Sequence, residues 1–273
     1  MEAKERIIVA LDVATIEEAK RLAIQLYPYV GGFKIGLELI TSEGGPEVVR
    51  HLDDVCGRFY FAGMWEGNPS QIFYDGKFMD ISNTVAGAAR AVTRLGVKMF
   101  NVHCLGGVKM MSAAKKAAEE EASLRKTPRP LILGVTLLTS LDYKALRELR
   151  LIEDFSYADP VEQREAEKKI LQRKVVELAL VAQEAGLDGV IASAQEIELI
   201  RKWSQPRFLI VTPAIRPVWA VADDQKRIDT PSAAIKAGAD YLVIGRPITQ
   251  PPKEIGGPIE AVKKIIEEIE SVL

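Results

Sequence analysis

Short apolar runs rich in β-branched residues alternate along this chain with longer amphipathic segments. The runs are Ile7–Leu11, Gly32–Gly36, Ile72–Lys77, Met99–His103, Leu131–Leu137, Gly189–Ala192, Phe208–Val211 and Tyr241–Ile244. The segments between and after them read as helices at Ile16–Tyr27, Pro46–Val55, Asn83–Leu95, Val108–Glu121, Arg164–Ala185, Ala194–Trp203, Pro231–Ala237 and Ile259–Val272. A helix joining two strands carries the chain back to the end where it started, so the strands pair in parallel. Glycines mark several helix ends, as in Leu95-Gly96-Val97, Ala185-Gly186-Leu187 and Ala237-Gly238-Ala239, where a left-handed residue closes the last turn. The expectation is an α/β fold, a closed (β/α)8 TIM barrel formed as a single domain over residues 1–273. A doubly wound open sheet is the rival. It would place a glycine-rich phosphate turn after the first strand, and Val9-Ala10-Leu11-Asp12-Val13 contains none.

Composition removes several function classes. The formal net charge is −2 and the basic residues are scattered, so no nucleic-acid footprint is expected. No apolar stretch is long enough to span a bilayer, and Met1 to Arg6 is charged, unlike a signal peptide. Cys56 and Cys104 are the only cysteines, His51 and His103 the only histidines. That inventory offers neither a disulfide framework nor a zinc site. A cytoplasmic protein without membrane or nucleic-acid partners is expected. Two connections are long: Arg58–Gln71, on the N-terminal side of its strand, suits packing or an interface, and Ser140–Gln163 follows the fifth strand.

Barrel sites form at the C-terminal ends of the strands. Those positions carry Asp12 after the first strand, Lys34 in the second, Asp75 and Lys77 in the third with Asp80 just beyond, His103 ending the fourth and Thr139 after the fifth. Period-two alternation puts Asp75 and Lys77 on one face, so two carboxylates, Asp75 and Asp80, bracket one ammonium. Asp-x-Lys-x-x-Asp alone reads equally well as a surface ion pair. Its recurrence with other charges at the same end of apolar strands marks a site, because unpaired charge is costly to bury. Loops after the seventh and eighth strands are the usual phosphate station of such barrels. Here Gly245 permits close backbone approach, Arg246 offers a planar fork, and the loop from Thr212 to Ile228 carries Arg216 and Gln225.

These motifs, in this order, resemble the orotidine 5′-phosphate decarboxylase family nearly end to end. The similarity is carried by Val-Ala-Leu-Asp12, Phe-Lys34-Ile-Gly, Asp75-Gly-Lys77-Phe-Met-Asp80-Ile-Ser-Asn-Thr84, Asn-Val-His103, Gly-Val-Thr-Leu-Leu-Thr139-Ser, Thr-Pro-Ala-Ile-Arg216-Pro, Asp-Gln225-Lys-Arg-Ile and Ile-Gly-Arg246-Pro-Ile-Thr. The resemblance implies cofactor-free decarboxylation of orotidine 5′-monophosphate to UMP by a charge tetrad, Lys34, Asp75, Lys77 and Asp80, with Lys77 protonating C6. It further implies a homodimer in which Asp80, Ile81 and Thr84 enter the neighbouring subunit's site. Asp12 and Lys34 would hold ribose hydroxyls, Thr139 the pyrimidine edge, and Arg216, Gln225, Gly245 and Arg246 the phosphate. No metal is expected. The chain departs from the family pattern at Gly76, Met79, Ser82 and Ala214, the last strained if its position needs positive φ. A magnesium-dependent sugar-phosphate decarboxylase or aldolase of the same superfamily, and a non-catalytic phosphate-binding barrel, are the alternatives.

Overall fold

A computed structural model of the chain describes residues 1–61, 64–67, 70–153, 159–220 and 229–273, with the backbone alone at 58–61 and 64–67. Its strands are β1 (Ile7–Leu11), β2 (Gly32–Ile35), β3 (Arg58–Phe61), β4 (Met64–Gly67), β5 (Ile72–Phe78), β6 (Met99–His103), β7 (Leu131–Val135), β8 (Gly189–Ile191), β9 (Leu209–Thr212) and β10 (Tyr241–Ile244). Helices are α1 (Ile16–Leu26), α2 (Leu37–Glu43), α3 (Gly45–Val55), α4 (Ser82–Leu95), α5 (Gly107–Arg125), α6 (Tyr143–Glu148), α7 (Pro160–Glu184), α8 (Ile197–Trp203), α9 (Pro231–Ala237), α10 (Arg246–Thr249) and α11 (Pro258–Glu270). Strands β1-β10-β9-β8-β7-β6-β5-β2 close into a barrel, and each neighbouring pair is parallel. The expected TIM barrel is therefore present, all its strands within a residue or two of their expected ends.

Differences from the sequence reading have local causes. The Arg58–Gln71 connection contains an antiparallel β3–β4 hairpin. Gly36 leaves β2 to precede α2, a short helix that the periodicity does not announce. Helix α7 begins at Pro160, not Arg164, because the Asp159 carboxylate accepts from the Val161 N–H at 2.6 Å and proline suits the first helical position. Asp142 caps α6 in the same way, accepting from the Ala145 N–H at 2.9 Å.

Alternation divides each barrel strand between two environments. Ile7, Val9, Leu11, Phe33, Ile35, Phe100 and Val102 pack outward under the helices. Ile8, Ala10, Phe73, Met99, Leu133, Val211, Tyr241 and Val243 fill the interior as a separate cluster. Each fully buried large side chain in these layers contributes roughly 1.5–3 kcal/mol. At the N-terminal ends of the strands, polar residues standing just before them hold the neighbouring backbone. Lys98 Nζ donates to the Gly31 carbonyl at 2.9 Å. Asp188 and Asp240 accept from the N–H groups of Ile132 and Ile210, both at 2.7 Å. No helix among the described residues is long and apolar enough to cross a membrane.

Candidate active site

On the inward face of β5, Phe73 is followed by Asp75; on β6, Met99 is followed by Asn101 and His103; β2 contributes Lys34 from the same layer. Asp75, only 6% exposed, is the centre of the cluster. Lys77 Nζ lies 2.7 Å from its Oδ1 and Lys34 Nζ lies 3.3 Å from its Oδ2. Lys34 also donates to Asp12 Oδ1 at 3.0 Å. One buried carboxylate therefore bridges two ammonium groups, leaving Lys77 half-open to the rim. A Cβ on Gly36 would lie 3.1 Å from Lys34 Nζ and 3.4 Å from Asp12 Oδ1, so the glycine keeps that corner clear.

Plain alternation does not by itself place Lys77. The β5–β6 register shifts between Tyr74 and Phe78, and Lys77 has φ 47, a conformation costing a non-glycine residue about 1 kcal/mol. The strand bulges, re-aiming its side chain. Gly76 belongs to the same bend: a Cβ there would meet Phe78 Cε1 at 2.9 Å and Tyr74 Cε1 at 3.0 Å, two rings whose centroids stand 6.0 Å apart. The rings occupy the space a larger side chain would need. Ala214 does sit at positive φ, 61°, the condition under which strain is expected at this position.

Asp80 corrects the bracketed-ammonium picture. Within the chain Lys77 pairs with Asp75 alone among the described residues, while exposed Asp80 accepts from the Ile81 N–H at 2.6 Å. The chain turns there into α4 at Ser82, carrying Asp80, Ile81 and Thr84 to the surface, with Ile81 73% exposed.

Around the rim, strand order sets the neighbours. β9, β10, β1, β2 and β5 are adjacent, so Arg216, Arg246, Asp12, Lys34 and Asp75 follow one another. Gly245 lies between β10 and α10, where a Cβ would stand 3.5 Å from Ala10 Cβ and 3.7 Å from Asp12 Oδ2. Arg246 is exposed, and the Arg216 N–H donates to the Asp229 carbonyl at 3.2 Å. Thr139 is exposed beyond β7 on the other side of the rim. Gln225 lies outside the described residues. Among those described, no group of three or more His, Cys, Asp or Glu side chains converges in a way that could hold a metal ion.

Sequence reasoning missed Asn101 and Glu196. Asn101 is wholly buried; its signal was a lone amide in the apolar run Met99-Phe100-Asn101-Val102. His103 stands two residues on, with Nδ1 buried and without a hydrogen-bond partner in the described structure. Burial first, then the Lys77 ammonium, hold its imidazole below the ordinary range, while Asp75 pulls the other way. The ring is therefore neutral at pH 7.

Beyond β7 and β8, Thr136, Leu137, Thr139, Ser193 and Glu196 line a cavity of about 120 Å³. Burial pushes the Glu196 carboxyl up from 4.5 to about 7; a Ser193 hydrogen bond and the Lys168 charge oppose this, and Asp229 adds to it. The unfolded chain then ionises first, so stability falls as pH rises from about 4.5 to about 7 and stays lower above. Glu196→Gln removes this penalty. Urea denaturation should show the variant more stable than its parent by about 1–3 kcal/mol at pH 8 and by much less at pH 5.

The chain matches the Orotidine 5′-phosphate decarboxylase / HUMPS family over residues 5–265. It is 46% identical over 272 residues to the orotidine 5′-phosphate decarboxylase of Moorella thermoacetica, covering 100% of this chain and 95% of that one. The Syntrophomonas wolfei orotidine 5′-phosphate decarboxylase is 43% identical over 270 residues, covering 99% and 100%. The crystal structure of orotidine 5′-phosphate decarboxylase from Lactobacillus acidophilus superposes with a TM-score of 0.71 at 30% identity, covering 96% of this chain and 98% of that one.

Proposed function

The chain belongs to the orotidine 5′-phosphate decarboxylase / HUMPS family, and we propose that its reaction runs on the charges gathered around Asp75. It is a carbon–carbon lyase of pyrimidine biosynthesis that converts orotidine 5′-monophosphate to UMP and CO2. The observation supporting the proposed mechanism is the bridging of Lys34 and Lys77 by one buried carboxylate.

Breaking the bond from C6 to the carboxylate leaves its electron pair on C6, with no adjacent carbonyl to delocalise it. A fixed ammonium stabilises charge developing there without reorganising, and an ammonium in contact can also protonate the carbon. Lys77 fills both roles, transferring one proton to C6 as CO2 departs; solvent then restores it. Asp75 holds Lys77 in place and faces the departing carboxylate. Asp12 and Lys34 take the ribose hydroxyls and Thr139 the pyrimidine edge. Arg216, Gln225, Gly245 and Arg246 take the phosphate, whose remote binding energy orders the site.

The protein acts as a homodimer on this reading. Exposed Met79 and Ile81 flank Asp80, an apolar surround suited to contact with a second copy. That contact would bring Asp80, Ile81 and Thr84 to the neighbouring Lys77. Residues 1–273 serve as one catalytic domain, in the cytoplasm, with no nucleic-acid or membrane partner and no cofactor.

Loss of orotidylate absorbance at neutral pH, followed with and without EDTA, tests the proposal. Turnover unchanged by the chelator is expected. Turnover abolished by it would overturn the cofactor-free mechanism in favour of the magnesium-dependent relatives, and absence of turnover would leave a phosphate-binding barrel.

A further inference from the structure

Among the described residues, Asn101 is the one side chain that hydrogen-bonds both Asp75 and the backbone of the bulge carrying Lys77. Its Nδ2 donates to Asp75 Oδ1 at 2.6 Å, and its Oδ1 accepts from the Lys77 backbone N–H at 2.7 Å. The Lys77 amide lies within the stretch where the β5–β6 register shifts, so a side chain supplies the acceptor there. The amide orientation follows from its partners, since reversal would set oxygen against carboxylate and N–H against N–H. Asn101 is 0% exposed, and an unmade hydrogen bond at such depth is costly. The amide thus locks together the left-handed φ of Lys77 and the rotamer of the carboxylate that holds its ammonium.

We propose that Asn101 is a positioning residue for the proton donor, fixing Lys77 through both its backbone and its counter-ion. The inference rests on the decarboxylase reading above and extends it. A neutral amide suits the task because it orients Asp75 without altering the charge balance among Lys34, Asp75 and Lys77. Such a residue acts on the chemical step and not on substrate capture, since the groups assigned to phosphate and ribose hydroxyls lie on other strands. A misplacement of about 1 Å at a reacting group lowers rates on the order of 100-fold.

Two variants read this out against the parent enzyme. Asn101→Ala should lower kcat about 100-fold, with KM for orotidylate and the affinity for UMP within about threefold. Asn101→Asp keeps the shape and the acceptor for the Lys77 N–H but sets a second carboxyl against Asp75. The charged and titratable groups facing that position are Asp75 and Lys77 on β5, Lys34 on β2 and His103 on β6; its β7 partner is apolar Leu133. Activity then requires one proton shared between residues 75 and 101. The ratio of variant to parent kcat should therefore rise as pH is lowered, up to about tenfold per unit.

If the parent turns over and both variants keep kcat within about twofold, the positioning role is wrong while the decarboxylase assignment stands. A loss confined to KM, or an Asn101→Asp ratio flat in pH, also overturns it. If the parent itself lacks turnover, the functional reading fails and the inference with it. Should Asn101→Ala not fold, the isosteric Asn101→Asp profile decides.

Discussion

Lys77→Ala is expected to lower kcat by on the order of 10⁴-fold or more while leaving UMP binding within about tenfold, measured by orotidylate absorbance and by titration with UMP. The size follows from two losses at one atom. Removing a positioned acid typically forfeits 10²–10⁴-fold, and removing a preorganised charge opposite a developing anion forfeits about 10²–10³-fold. Folding should survive, because Asp75 keeps Lys34 at 3.3 Å and Asn101 at 2.6 Å and is not left buried without a partner. A variant that retained more than about a tenth of the parent rate would remove Lys77 from the chemistry.

Mixing two inactive variants tests the shared site. Asp80→Asn should be as inactive as a tetrad member requires, although among the described residues Asp80 pairs with no catalytic group of its own chain. When Lys77→Ala and Asp80→Asn subunits are dissociated together and reassociated, the mixed dimer holds one site with an intact Lys77 from one chain and an intact Asp80 from the other. Random pairing makes about half the dimers mixed, each with one working site in two, so about a quarter of parental activity should return. Recovery absent under conditions where exchange is demonstrated would place each site within a single chain. The exposed Asp80, Ile81 and Thr84 would then need another explanation.

Much of the candidate site was legible because its residues sit at strand ends, which the barrel rule gathers on one rim, although period two does not place Lys77. Asp12, Lys34, Asp75 and Lys77 are found together as the motifs implied, and the rim order brings Arg216 and Arg246 alongside. What escaped was of another kind. Asn101 looked like one more residue of a buried strand, and only its two short hydrogen bonds, 2.6 and 2.7 Å, reveal its place. Glu196 resembled an ordinary helix-start residue until burial raised its carboxyl to about 7. Neither depends on a local pattern; both depend on what packs against them.

The sequence by itself determined the barrel, since eight alternating units with glycine-ended helices leave a parallel sheet few ways to bury two faces. It also determined which charged residues lie at the C-terminal rim, because the ends of the apolar runs mark the ends of the strands. Tertiary structure alone decided the bulge at Lys77, its positive φ, and the separation of Asp80 from Lys77 within one chain. The reason is physical: a bulge exists only relative to a partner strand, and whether a charge is paired depends on distances across the barrel that spacing along the chain does not encode.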